Sequence, residues 1–173
     1  MAHRSVHYEA AFEDYLRGRQ LPYVAVDEAK KALFAGAALK SFDFLVYSES
    51  GANLLVDVKG RKFPDTRPGH KASSSRAWEN WVTREDLESL AEWEKVFGPA
   101  FQAVFAVAYW LQGPPLNSPF DDVHFYKQKH YAFFAIRLCD YVASARTRSD
   151  KWQTVAMPTR KFAQLAKDIT TFL

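Results

Sequence analysis

Residues 41–60, SFDFLVYSESGANLLVDVKG, constrain the fold of this chain more than any other stretch. Two apolar runs, residues 42–47 and 54–58, flank Ser48-Glu49-Ser50-Gly51-Ala52-Asn53. That cluster of turn formers predicts an antiparallel β-hairpin. Both strands carry charge. Side chains alternate faces along a strand, so Asp57 and Lys59 share a face with Leu55 while Leu54, Val56 and Val58 point the other way. Asp43 stands among Phe42, Phe44, Leu45 and Val46, where an uncompensated carboxylate is costly to desolvate.

A metal ion would account for these charges. Two carboxylates on adjacent strands can hold a hard divalent cation such as Mg²⁺, with the Val58 carbonyl as a third oxygen ligand. Lys59 is then placed to orient an activated water or to neutralise phosphoryl charge. The plainer alternative is a sheet edge bearing a Lys–Asp ion pair. A triplet of this kind is weak alone: Glu28-Ala29-Lys30 repeats it in a segment that reads as a solvated helix. The arrangement as a whole, Asp43, a hairpin and then Asp57-Val58-Lys59 closing an apolar strand, is more specific.

On these residues the chain resembles the PD-(D/E)xK nuclease superfamily, the restriction-endonuclease-like fold of Holliday junction resolvases and many restriction enzymes. Asp43 matches the first strand aspartate, and Asp57 and Lys59 match the second acidic residue and the lysine. Phe42 stands where the motif has proline. The string His7-Tyr8-Glu9-Ala10-Ala11-Phe12-Glu13 is similar, more closely, to the pattern of the largely uncharacterised bacterial HYExAFE family. The resemblance implies a metal-dependent DNA endonuclease with Mg²⁺ as cofactor and Mn²⁺ as a substitute. Asp43, Asp57 and the Val58 carbonyl would be metal ligands, and Lys59 would support the nucleophile. Glu9 would be the first-helix glutamate beside the metal or its water.

Helical spacing of Tyr8, Phe12, Tyr15 and Leu16 predicts a first helix over residues 8–17, ended at Gly18. Glu9 and Glu13 stack on it, Glu9 at the edge of the apolar stripe and Glu13 further towards solvent. Residues 22–26 read as a first strand and 27–39 as a loose helical excursion, whose Lys30 and Lys31, with the following Lys40, serve as solubility charges. From Lys59 to Arg76 the chain carries Arg61, Lys62, Arg67, Lys71 and Arg76 against the single acid Asp65, with Pro64, Pro68 and Gly69 interspersed. This predicts a basic loop at the mouth of the site, with Arg61, Lys62, Arg67, Lys71 and Arg76 as DNA-phosphate contacts. An ordinary solvated loop is the alternative. Thr83 and Asp86 predict a capping box with a Val82–Leu87 staple, and Gly98-Pro99 ends that helix. Trp78 and Trp81 before it suit core packing better than base stacking.

The apolar run of residues 101–110 predicts a strand covered on both faces, parallel to the Asp57 strand through the intervening helix. The order helix, three strands, helix, strand is that of the nuclease core. The core is expected over about residues 6–111, and 112–173 form an extension of the same domain. The extension is expected to hold a hairpin around Lys127-Gln128-Lys129, then a last helix capped by Thr159. Phe162, Leu165, Ala166, Ile169 and Phe172 would form one apolar stripe of that helix.

At 173 residues, 48% hydrophobic and 25% charged, the chain suits one globular domain. Without a long apolar run or a signal-peptide core, a cytoplasmic protein with no membrane partner is expected. Cys139 alone allows no internal disulfide and reads as a buried structural thiol. Five scattered histidines argue against zinc. The net charge of +3 does not by itself announce nucleic acid. The expected activity is hydrolysis of phosphodiester bonds in duplex or branched DNA; a symmetric junction substrate would call for a homodimer. The alternatives are a catalytically inactive nucleic-acid-binding module on the same fold, or a protein-interaction partner whose last helix is an assembly surface.

Overall fold

The computed structural model describes residues 6–26, 32–34, 37–69 and 76–173. Alternation of buried side chains along the central strands divides the interior into two cores, one on each side of a sheet. Helix α1 (Val6–Gly18) covers one face with Tyr8, Phe12, Tyr15 and Leu16, packed on Val56, Val58 and Phe133. The other face buries Leu55, Phe63, Phe105 and Tyr109 beneath Leu90 of helix α2 (Arg84–Phe97) and Tyr141 of helix α3 (Leu138–Ser144).

The central hairpin forms as its apolar runs predict. Strands β4 (Phe44–Val46) and β5 (Asn53–Phe63) pair antiparallel, with Phe44 opposite Val56 and Val46 opposite Leu54. Strand β1 (Tyr23–Ala25) adds to β4 antiparallel. Strand β7 (Phe101–Leu111) lies parallel to β5 from Asn53/Phe101 to Phe63/Leu111. The expected core order is therefore present. Strands β8 (His124–Tyr126) and β9 (Lys129–Arg137) form the second hairpin, turning through Lys127 and Gln128, both at positive φ.

Three segments depart from expectation. Where residues 27–39 read as helical, strands β2 (Ala32–Phe34) and β3 (Ala37–Leu39) pair as a hairpin; Lys30 and Lys31 lie outside the described residues. Residues 59–63 are not loop but the continuation of β5, stitched to β7 through Phe63. The last helix, α4 (Thr159–Leu165), is short, and Pro158 precedes it without a side-chain cap. Strand β12 (Lys167–Asp168) then pairs with Ala135 and Phe134 of β9, giving that edge strand a partner. The predicted stripe is thereby divided: Phe162 enters one core, Ile169 the other, and Leu165 is exposed.

The extension also contributes a small sheet. Strand β11 (Thr154–Ala156) pairs with β10 (Arg146–Ser149) and with β6 (Val82–Thr83), the two residues that lead into α2. Cys139 is exposed rather than buried, because its place in the first turn of α3 turns it outward while Leu138 and Tyr141 face the core. No described helix is long and apolar enough to cross a membrane.

Candidate active site

Asp43 and Asp57 are both buried, 8% and 6% exposed. Asp43 precedes β4, and its Oδ2 accepts a 2.6 Å hydrogen bond from the Val58 amide of the neighbouring strand. This bond ties the first acid to the peptide between the second acid and the lysine. Burial, then the Asp57 charge, hold the Asp43 carboxyl well above the usual carboxylate range, against the Val58 hydrogen bond; Glu9 raises it further. Burial also raises Asp57, opposed by Lys59. Lys59 Nζ lies 2.8 Å from Asp57 Oδ1 and 3.1 Å from Asp86 Oδ2. Burial opposes the ammonium, but the two carboxylates outweigh it and raise its pKa.

Asp86 is the residue that sequence reasoning saw only as a cap. Its amide donates to Thr83 Oγ1 at 3.0 Å, and its Oδ2 accepts from the Thr83 amide at 3.1 Å, completing the predicted capping box. The same carboxylate binds Lys59 and Lys40. Burial alone would raise its pKa; Lys59 and Lys40 reverse this and pull it down to about 2. Lys40 is therefore part of the site rather than a solubility charge. Its amide donates to Ser89 Oγ at 3.2 Å and its carbonyl accepts from Trp93 Nε1 at 2.9 Å. A shallow cleft lined by Lys40, Ser41, Phe42, Asp57, Asp86 and Trp93 lies here.

Helix α1 is held close to β5 at Gly60, where an added Cβ would come within 2.1 Å of the Tyr8 ring. Glycine there lets the helix approach the strand and brings Glu9, half-buried, within electrostatic reach of Asp43. Glu13 is occupied otherwise: it accepts from the Tyr23 hydroxyl at 2.9 Å and pairs with Arg17 at 3.4 Å.

The proposed phosphate contacts meet different fates. The Arg61 side chain turns inward, with its guanidinium 3.9 Å over the Trp81 ring and donating to the Trp81 and Gly60 carbonyls. Burial lowers its pKa, and its Nε has no described hydrogen-bond partner. Arg67 is folded onto Asp65, 2.6 Å away. Lys62 and Arg76 are exposed, and Lys71 lies outside the described residues. Trp78 is core, wedged against Phe63, Tyr109 and Phe120. Arg148 of β10 was not anticipated: it approaches the same Trp81 ring as Arg61, at 5.2 Å. The Trp81 segment is fixed from both sides, since the Glu79 and Asn80 carbonyls accept from the Tyr109 and Tyr141 hydroxyls at 2.9 and 2.8 Å.

The donor chemistry of this centre fits a hard cation. Asp43 Oδ1 and Asp57 Oδ2 have no described hydrogen-bond donor, and the Asp57 charge raises the cost of ionising Asp43. Among the described residues no group of three or more His, Cys, Asp or Glu side chains is assembled as a metal site. A cation held here would have two carboxylates and backbone oxygen to draw on, a set that suits Mg²⁺, which keeps several waters.

No protein-family profile and no curated protein sequence matches the chain. Among solved structures, it is similar to Hjc of Archaeoglobus fulgidus, a Holliday junction resolvase from an archaeal hyperthermophile. The two share a TM-score of 0.56 and 14% identity over 96% of this chain and 97% of that one. The fold is restriction-endonuclease-like, with a C-terminal hairpin and helix extension.

Proposed function

We propose that the chain is a metal-dependent endonuclease hydrolysing phosphodiester bonds in DNA, built as one domain with its core at about residues 6–111. The observation that carries this reading is the pair of buried carboxylates, Asp43 and Asp57, linked through the Val58 amide and set beside Lys59. Asp43, Asp57 and the Val58 carbonyl would hold Mg²⁺, or Mn²⁺ in its place. Bound there, the cation supplies Lewis acidity to the phosphodiester and to the attacking water. Lys59 pairs with Asp57 and Asp86; were a cation to balance the Asp57 charge, the ammonium, still held by Asp86, would be placed to neutralise a phosphoryl oxygen. Glu9 assists the metal or its water. One P–O bond forms to water, one ester P–O bond breaks, and the leaving oxygen takes up a proton.

The likeness to a resolvase favours branched DNA among the substrates, and the string at residues 7–13 keeps the finer resemblance to the HYExAFE family within the proposal. The alternative is an inactive module of the same fold, with the Lys59 ammonium as permanent counter-charge to the acids. Cleavage of labelled duplex, flap and four-way-junction DNA with Mg²⁺ and Mn²⁺ tests the reading. Metal-dependent cutting lost in Lys59→Met is expected; no cutting of any shape by the folded wild-type protein would sink it.

A further inference from the structure

The α1 face of β5 carries a second cluster, made by residues from four elements. Lys62 follows Val58 and Gly60 on that face, opposite to Asp57 and Lys59. Its ammonium lies 5.1 Å from the centroid of Trp110, its register partner on β7. Lys129, at the start of β9, approaches the same ring at 4.3 Å. His7 of α1 meets the ring edge-on, its centroid 5.6 Å away, and Tyr131 fixes it through a 2.8 Å bond between its hydroxyl and the imidazole Nδ1.

Two ammonium groups therefore converge on one half-buried indole, and neither has a carboxylate partner among the described ion pairs. The imidazole Nε2 has no described hydrogen-bond partner either. Elsewhere in the described residues, Lys59 and Lys40 are balanced by Asp86, Arg67 by Asp65 and Arg19 by Asp122, while Arg61, which shares the Trp81 ring with Arg148, spends its donors on the Gly60 and Trp81 carbonyls. An external anion between these like charges would relieve their mutual repulsion. The indole attracts each ammonium, which holds both lysines beside the same ring. With a strand rise of about 3.3 Å per residue, Lys62 lies about 16 Å along β5 from Asp57, at a distance suited to a neighbouring phosphate of a long ligand rather than to the reacting one.

We propose that Lys62, Lys129 and His7, arranged around Trp110, form an anion site that holds a backbone phosphate of the polynucleotide away from the scissile bond. The assignment of the ligand as a polynucleotide rests on the nuclease reading; the anion site itself does not.

The test uses the full chain without divalent cation and compares wild type with Lys62→Gln/Lys129→Gln. Duplex and four-way-junction affinities are measured against salt, and the Trp110 indole N–H resonance is followed during titration with each DNA and with inorganic phosphate. Losing the one phosphate held by this site should lower the slope of log affinity against log salt by about 0.9. The Trp110 resonance should move with DNA in the wild type and stay in place in the variant. An unchanged slope with an unmoved Trp110 overturns the proposal and leaves the lysines as covers for the indole. A response to inorganic phosphate without any to DNA overturns the polynucleotide assignment. Failure of the hydrolytic reading is separately visible as wild-type DNA binding without cutting once Mg²⁺ or Mn²⁺ is added, and the slope comparison stands in that case too.

Discussion

On one face of β5, Lys59 lies between Asp57 and Asp86, at 2.8 and 3.1 Å; on the other, Lys62 shares the Trp110 ring with Lys129 and meets no described carboxylate. The two lysines are three residues apart on one strand. The first is 85% buried and its charge is held by a network that also caps α2 and reaches Lys40. The second is exposed, with only an aromatic face for support. Balanced buried charges set geometry, because removing either partner strands the other in a medium that solvates it poorly. Unbalanced exposed charges contribute little to folding and are left available to an external anion.

Substitutions should separate the faces by size of effect. Asp86→Ala removes the acid shared by Lys59, Lys40 and the Thr83 amide, and should cost about 3–5 kcal/mol in chemical denaturation, as breaking a buried ion pair does. Thr83→Ala removes only the cap and should cost about 1 kcal/mol. Lys62→Gln/Lys129→Gln should change stability least, within about 1 kcal/mol, since cation–π contacts at exposed sites are that weak. A double-mutant loss as large as that of Asp86→Ala would erase the contrast between the faces.

The acids themselves should respond to pH in opposite senses. Asp86 has a folded pKa of about 2 against an ordinary 3.8, so its contribution to stability is present above 3.8 and is lost as pH falls towards 2. Asp43 has a raised folded pKa, so its contribution is present below 3.8 and is lost as pH rises through the folded value. Asp43→Asn should therefore raise the thermal midpoint at pH 7 and lose that advantage below about pH 4. Thermal melts across this range check both signs. A variant less stable than wild type at pH 7 would mean that the Asp43 charge is already compensated in the folded chain.

The hairpin, Asp43, Asp57 and Lys59 were legible because their signal is local: alternation within two short strands and charges out of place in apolar runs. The capping box at Thr83 and Asp86 was legible for the same reason. The second role of Asp86 was not, since Lys59 is 27 residues away and Lys40 is 46. Arg61 looked like part of a basic loop because Pro64, Pro68 and Gly69 follow closely; eleven residues of register with β7 keep the strand going to Phe63 and turn the guanidinium inward. Trp110 sat unnoticed at the end of an apolar strand, and its lysines come from positions 62 and 129. The helical period over residues 159–172 was real, but the pairing of Lys167 and Asp168 with β9 outcompetes a longer helix. The surface once assigned to an assembly helix is correspondingly reduced, as Phe172 packs against the α1-side core.

Calorimetric titration of the wild-type chain and of Asp57→Asn with Mn²⁺ and Mg²⁺ tests the central claim most directly. Asp57→Asn keeps the shape of the side chain and removes the charge that a cation would need. Saturable binding to the wild type that disappears in the folded variant is the result expected of a two-carboxylate metal site. Binding of equal strength and stoichiometry in both proteins would contradict it and leave Asp57 balanced by Lys59 and Lys40 alone among the described residues.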